Sequence, residues 1–289
     1  MQNNYHSLSI MKFLLYLSLA CCFSLGSAAA QEKKKQERPP IRVNPNGFKS
    51  NKADILKVVQ SASAELWKHF PDYQLENMVV TKGNSGPIVL YQRNALKEIV
   101  VRLDTKGTYW SQYSYQWAHE FCHILTGYRN DGRENKWFEE TLCELASIYT
   151  MRAMAETWKT KPPYPNWKSY GKSLKKYADD VIEKRDEVTI KTLAAYYKKN
   201  ETELRKDSGK RGINGAMAVA LLPWFEEKPE RWECIRYLNV TPAEAGLSFQ
   251  DYMQKWHNDA AEKHQPFIQE IAKAYGLKKL SPKPKEKKK

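Results

Sequence analysis

His119-Glu120-Phe121-Cys122-His123 puts two imidazoles and a carboxylate within five residues. On a helix, residues four apart share a face, so His119 and His123 can present their rings to one divalent ion. Glu120 is turned by roughly 100° from His119, which sets its carboxylate beside the water such an ion carries rather than on the ion. Two neutral imidazoles, an open coordination position and an adjacent base are the parts of zinc-assisted hydrolysis. Such a pentapeptide also arises by accident, so a third ligand has to be found. A segment starting at Asn135 follows twelve residues after His123, past a glycine-containing loop, and carries Glu139, Glu140 and Glu144. Two antiparallel helices joined by so short a loop can bring Glu140 opposite the two histidines.

This arrangement resembles the gluzincin metallopeptidases, in which H-E-x-x-H is followed on a second helix by W-x-x-E-G or N-E-x-x-S/A-D. Trp137-Phe138-Glu139-Glu140 matches that second element, with Thr141 where the family has Gly. The resemblance spans roughly residues 99 to 155. It implies a zincin-like fold, a Zn²⁺ cofactor, Glu140 as third ligand and Glu120 as general base. Glu144, one turn later on the same face, matches the acid that orients a ligand histidine, and becomes the third ligand if the register shifts by a turn. Glu139 is expected to point away. The family also has a substrate-binding edge strand before the active helix, and Glu98 to Asp104 stands in that place, with a plain core strand as the other reading. An oxyanion-stabilising Tyr or His is expected from the helices that follow, with Tyr170, Tyr177, Tyr196, Tyr197, His257 and His264 as candidates.

The implied activity is hydrolysis of peptide bonds in a peptide or protein substrate. An endopeptidase is expected over an aminopeptidase, because no G-x-M-E-N-like element precedes His119. The alternative is a zincin-like binding protein of the cell envelope that has lost catalysis. Trp224-Phe225-Glu226-Glu227 repeats the tetrapeptide of the second helix with no H-E-x-x-H before it, and is read as an ordinary helix end.

The elements that position these residues can be traced from pattern. Asn51 caps a helix over 52 to 70 with Ile55, Val58, Val59, Ala62, Leu66 and Phe70 on one face. Three short β-rich runs follow, at 78 to 81, 88 to 92 and 98 to 103, and predict a small antiparallel sheet. The active helix runs from about Tyr109 to Tyr128, and its partner from Asn135 to about Lys159. Helices are then expected over 167–185, 189–199, 212–227, 229–238, 248–262 and 265–275, with Pro223 among the punctuating residues. The class is α+β: a zincin-like small sheet and an active-site helix pair, followed by a mainly helical C-terminal lobe. The divisions are a signal peptide (1–30), a polar linker (31–50), an α/β subdomain (51–128), a helical subdomain (129–277) and a Lys-rich tail (278–289).

The signal peptide rests on Lys12, the apolar run Phe13 to Leu25 and an Ala28-Ala29-Ala30 cleavage site. It predicts a secreted, periplasmic or cell-envelope location. No later segment is long and apolar enough to span a membrane. The net charge is +14, and residues 278 to 289 hold seven Lys and one Glu. The tail reads as a solvated end, or as a source of weak attraction to anionic surfaces. No helix-turn-helix, zinc-finger or RNP pattern points to nucleic acid. Three cysteines remain after the signal, Cys122, Cys143 and Cys234, too few for a disulfide framework. Cys122 and Cys143 are expected as buried thiols at the helix seam facing away from the metal, with a bridge between them as the alternative.

Overall fold

The computed structural model describes residues 39–282. The signal peptide, the first part of the linker and the end of the Lys-rich tail lie outside the described residues. Strand β1 (Ile41–Val43) starts the fold, inside the stretch expected to be linker. Its brevity and the flanking Pro39-Pro40 and Pro45 hid it. Helix α1 (Lys52–Trp67) follows, and the Asn51 side chain accepts a hydrogen bond from the Ala53 N–H, as a capping Asn should. Its face of Ile55, Val58, Val59, Ala62 and Leu66 is fully buried.

Strands β2 (Met78–Lys82), β3 (Ile88–Val89) and β4 (Ile99–Leu103) complete a four-stranded sheet in the order β1-β2-β4-β3. The sheet is mixed rather than antiparallel: β1 with β2 and β2 with β4 are parallel, and only β3 runs against β4. The reason is connectivity. Helix α1 is the crossover that returns the chain to pair β2 alongside β1, and parallel neighbours need such a crossover. The edge also differs from expectation. Residues 98–104 supply the interior strand β4, and the short β3 is the exposed margin. Glu98 at the start of β4 joins the hairpin to β1, accepting from Arg42 Nε at 2.9 Å and from Asn94 Nδ2 at 2.8 Å.

Two antiparallel helices carry the candidate site: α2 (Trp110–Leu125) and α3 (Lys136–Thr157). Gly127, at φ +69°, ends α2, and the Tyr128 N–H returns to the His123 carbonyl at 3.1 Å. Helix α3 packs against α1 and α2, and also against α4 (Gly171–Glu183) and α6 (Arg211–Glu227). It is therefore buried almost all round, not on one stripe. Helices α5 (Leu193–Lys206), α7 (Phe249–Asp259) and α8 (Gln265–Ala274) finish the helical part. Residues 229–237, expected as α-helix, form a 3₁₀ segment, and Pro223 lies inside α6 without ending it. One continuous apolar core runs from the sheet through α8. The class is α+β and mostly helical. Among the described residues no helix is long and apolar enough to cross a membrane.

Candidate metal centre

Trp117, Phe121 and Leu125 hold α2 into the core by burial, with no exposed ring or side chain among them. That orientation turns His119, Glu120 and His123 toward a cleft of about 290 Å³. One wall is the sheet margin, with Pro87, Ile88, Val89 and Tyr91. The other is α3 and the start of α6, with Lys136, Glu139, Glu140 and Arg211.

Glu140 bridges the two imidazoles. Its Oε2 lies 3.1 Å from His119 Nε2, and its Oε1 lies 3.6 Å from His123 Nε2. The opposite ring nitrogens have separate carboxylates. His123 Nδ1 is 2.6 Å from Glu139 Oε1, and His119 Nδ1 is 3.7 Å from Glu144 Oε1. The helical register explains the division: Glu140 and Glu144 are one turn apart, and Glu139 sits a third of a turn round toward His123.

The two supporting carboxylates are built differently. Glu144, only 1% exposed, accepts from the Tyr115 hydroxyl at 2.5 Å and from Arg185 Nη2 at 3.2 Å. Arg211 Nε adds an ion pair at 3.3 Å. Arg185 reaches Glu144 across α6 at Gly215, where a Cβ would stand 2.3 Å from Arg185 Nε. Glu139 is held by neutral donors instead: Asn239 Nδ2 at 2.9 Å and Thr126 Oγ1 at 3.3 Å. The Tyr252 hydroxyl donates in turn to Asn239 Oδ1 at 3.2 Å.

Carboxylates are concentrated here, with Arg185 and Arg211 paired, among the described residues, to Glu144 alone. Four carboxylates, Glu120, Glu139, Glu140 and Glu144, surround two imidazoles in a largely buried space. Burial works against a charged His123, but the hydrogen bond to Glu139 overrides it and lifts the imidazole to about 10. Burial likewise works against charge on Glu140, and the bond to His119 overrides it, holding the carboxyl near 2. Glu120 differs: burial raises its pKa, and the two histidines offset that only in part. The Val89 main chain, beside the Glu120 carboxylate, also works to lower its pKa.

His119, His123 and Cys143 each offer a ligand atom within 4.8 Å of the others, a group that could hold a metal ion. This corrects the expectation that Cys143 faces away. Burial raises the Cys143 thiol well above its ordinary pKa and the neighbouring Cys122 adds to this; both are free, buried thiols. Glu139, expected to point away, touches His123 directly. No candidate Tyr or His from the later helices lines the cleft. Tyr170 bonds Ser111, Tyr196 bonds Asp186, Tyr177 meets Tyr115 at a tilt, and Tyr197 packs on Trp137. His264 lies beside Glu233, and His257 is buried in α7. Arg211 is the residue of the later helices that does line it. Nothing in the local pattern marked it, because it reaches the site only through the packing of α6 on α3. No protein-family model, curated protein or solved structure matches the chain.

Proposed function

We propose that this chain is an exported zinc-dependent peptidase of gluzincin type, with His119, His123 and Glu140 as the metal-holding residues and Glu120 as the base. The observation that carries the reading is the bridging carboxylate. Glu140 reaches toward the Nε2 atoms of both histidines, Glu139 bonds His123 Nδ1, and Glu144 stands 3.7 Å from His119 Nδ1 without a hydrogen bond. Three converging groups, two imidazole nitrogens that bind once a metal displaces their Nε2 protons and one anionic oxygen, suit zinc and would leave a fourth position open. Cys143, fully buried against Cys122, is the softer donor at the same histidines.

A bound zinc ion supplies Lewis acidity, acidifying water and polarising a peptide carbonyl. Glu120 takes the proton from the attacking water at its carboxylate and returns it to the departing amine. Its raised pKa suits a group that must both accept and release that proton. Glu139 fixes the orientation of the His123 imidazole, and Glu144 places a buried negative charge beside His119. The β3 margin lines the cleft, and an extended peptide can lie along it. Ile88 and Tyr91, about half exposed there, give apolar side chains a surface. Export rests on the Phe13–Leu25 run and the Ala28-Ala29-Ala30 site.

The test is metal analysis of the mature chain together with cleavage of casein or a peptide library. The expected result is about one zinc per chain and hydrolysis abolished by a chelator and restored by zinc. Folded protein that binds no metal removes the reading. Zinc binding without hydrolysis leaves an inactive zincin-like binding protein.

A further inference from the structure

We propose that Arg211 forms a carboxylate-recognising subsite at the mouth of the cleft, so that the enzyme prefers peptides bearing an anion on the α6 side. The anion would be an acidic side chain near the scissile bond or a C-terminal carboxylate. This deepens the peptidase reading and rests on it.

Arg211 is the first residue of α6 and lines the same cleft as Glu120 and Glu140. Its Nε is anchored by the buried Glu144 at 3.3 Å. Among the described residues no other hydrogen-bonding or ion-pair partner meets its guanidinium. The ion pair holds the Nε edge of the guanidinium toward Glu144 and leaves its Nη groups to match the two oxygens of a carboxylate. The anchoring lowers the entropy lost when a ligand binds. Lys136 lines the cleft as well, but it donates to the Tyr91 hydroxyl at 3.1 Å and to the Arg129 carbonyl. Both acceptors are neutral, so its charge is not cancelled. The first turn of α6 has no side-chain cap, which adds to the positive potential at this end. Carboxylates are thus gathered around the histidines, and cations stand at the mouth.

The other role open to an arginine here is stabilising the reacting oxygen. That role calls for donors shielded from water. The Arg211 side chain is 55% exposed, which places it at the entrance rather than at the chemistry.

The experiment uses the mature, zinc-loaded chain and four quenched-fluorescent peptides of one parent sequence. Two differ by an internal Glu or Gln, and two by a C-terminal acid or amide. kcat/KM is measured on wild type and Arg211→Met, and Kd on Glu120→Gln with and without Arg211→Met. At least one acid and neutral pair is expected to separate by about tenfold or more. Arg211→Met should bring that ratio near one, and Arg211→Lys should restore part of it. Equal rates and Kd values within both pairs overturn the proposal. So does a ratio that survives Arg211→Met, since the preference then belongs to the metal or to Lys136. Acid-selective binding that depends on Arg211, without hydrolysis by wild type, keeps the subsite and removes the peptidase reading.

Discussion

Trp-Phe-Glu-Glu occurs twice in this chain, at 137–140 and at 224–227, and the two copies have different fates. The first opens α3. Its Trp137 and Phe138 are fully buried, and its glutamates meet His123 and His119. The second closes α6. Phe225 is fully buried, but Glu226 pairs with Arg152 at 2.6 Å across the surface and Glu227 is exposed. The Phe of the motif does the same work in both places, whereas Trp137 is fully buried and Trp224 only partly. The acidic half acquires a role only where a neighbouring helix presents imidazoles. The comparison teaches that the tetrapeptide specifies helix burial, and its position after the α2 turn decides which groups its glutamates meet.

The largest contrast should come from removing one glutamate in each copy. Glu140→Gln is expected to abolish hydrolysis and lower zinc affinity by a hundredfold or more, by order of magnitude for a lost ligand. Glu226→Gln should leave zinc content intact and change stability by less than about 1 kcal/mol, because its ion pair is solvent-exposed. Competition titration with a zinc chelator and urea unfolding read the two quantities. An unchanged zinc affinity in Glu140→Gln would falsify the ligand assignment. Within the first region, Glu120→Gln separates metal holding from proton transfer. It should retain zinc while kcat falls by roughly 10²–10⁴-fold. Full turnover by that variant sinks the base role.

Phe138→Ala and Phe225→Ala test the part of the motif on which the copies agree. Each should cost about 3–5 kcal/mol in urea unfolding, since both rings are fully buried. A large difference between them would mean that the aromatic roles also diverge. The smallest functional effect should be at Glu139. Glu139→Gln is expected to weaken zinc by roughly 10–100-fold, whereas Glu227→Gln should do nothing measurable. Equal zinc affinities in wild type and Glu139→Gln would leave the 2.6 Å contact with His123 as packing alone.

Much of this was legible from local pattern. The α1 face, the Asn51 cap and the pair α2 and α3 follow from periodicity and punctuation, because those signals act over a few residues. The strand β1 was not legible, since three residues between prolines carry no alternation. Its parallel pairing with β2 became visible only with the crossover helix in place. The edge was misassigned for a related reason. Ile88-Val89 is shorter than Ile99–Leu103 and looks the weaker strand, yet weakness suits a margin and the longer run occupies the middle.

The pentapeptide His119-Glu120-Phe121-Cys122-His123 by itself determined that two imidazoles and a carboxylate share one helical turn, because helix geometry is local. Only the tertiary structure decided what surrounds them. Packing of α3 on α2 put Glu140 at both Nε2 atoms, brought Glu139 to His123 and turned Cys143 toward the same cluster. Packing of α6 on α3 brought Arg211 to Glu144 from 67 positions along the chain. Those contacts depend on the relative rotation of helices, which is set by how buried side chains across the whole core interlock, and no short stretch of residues carries that information.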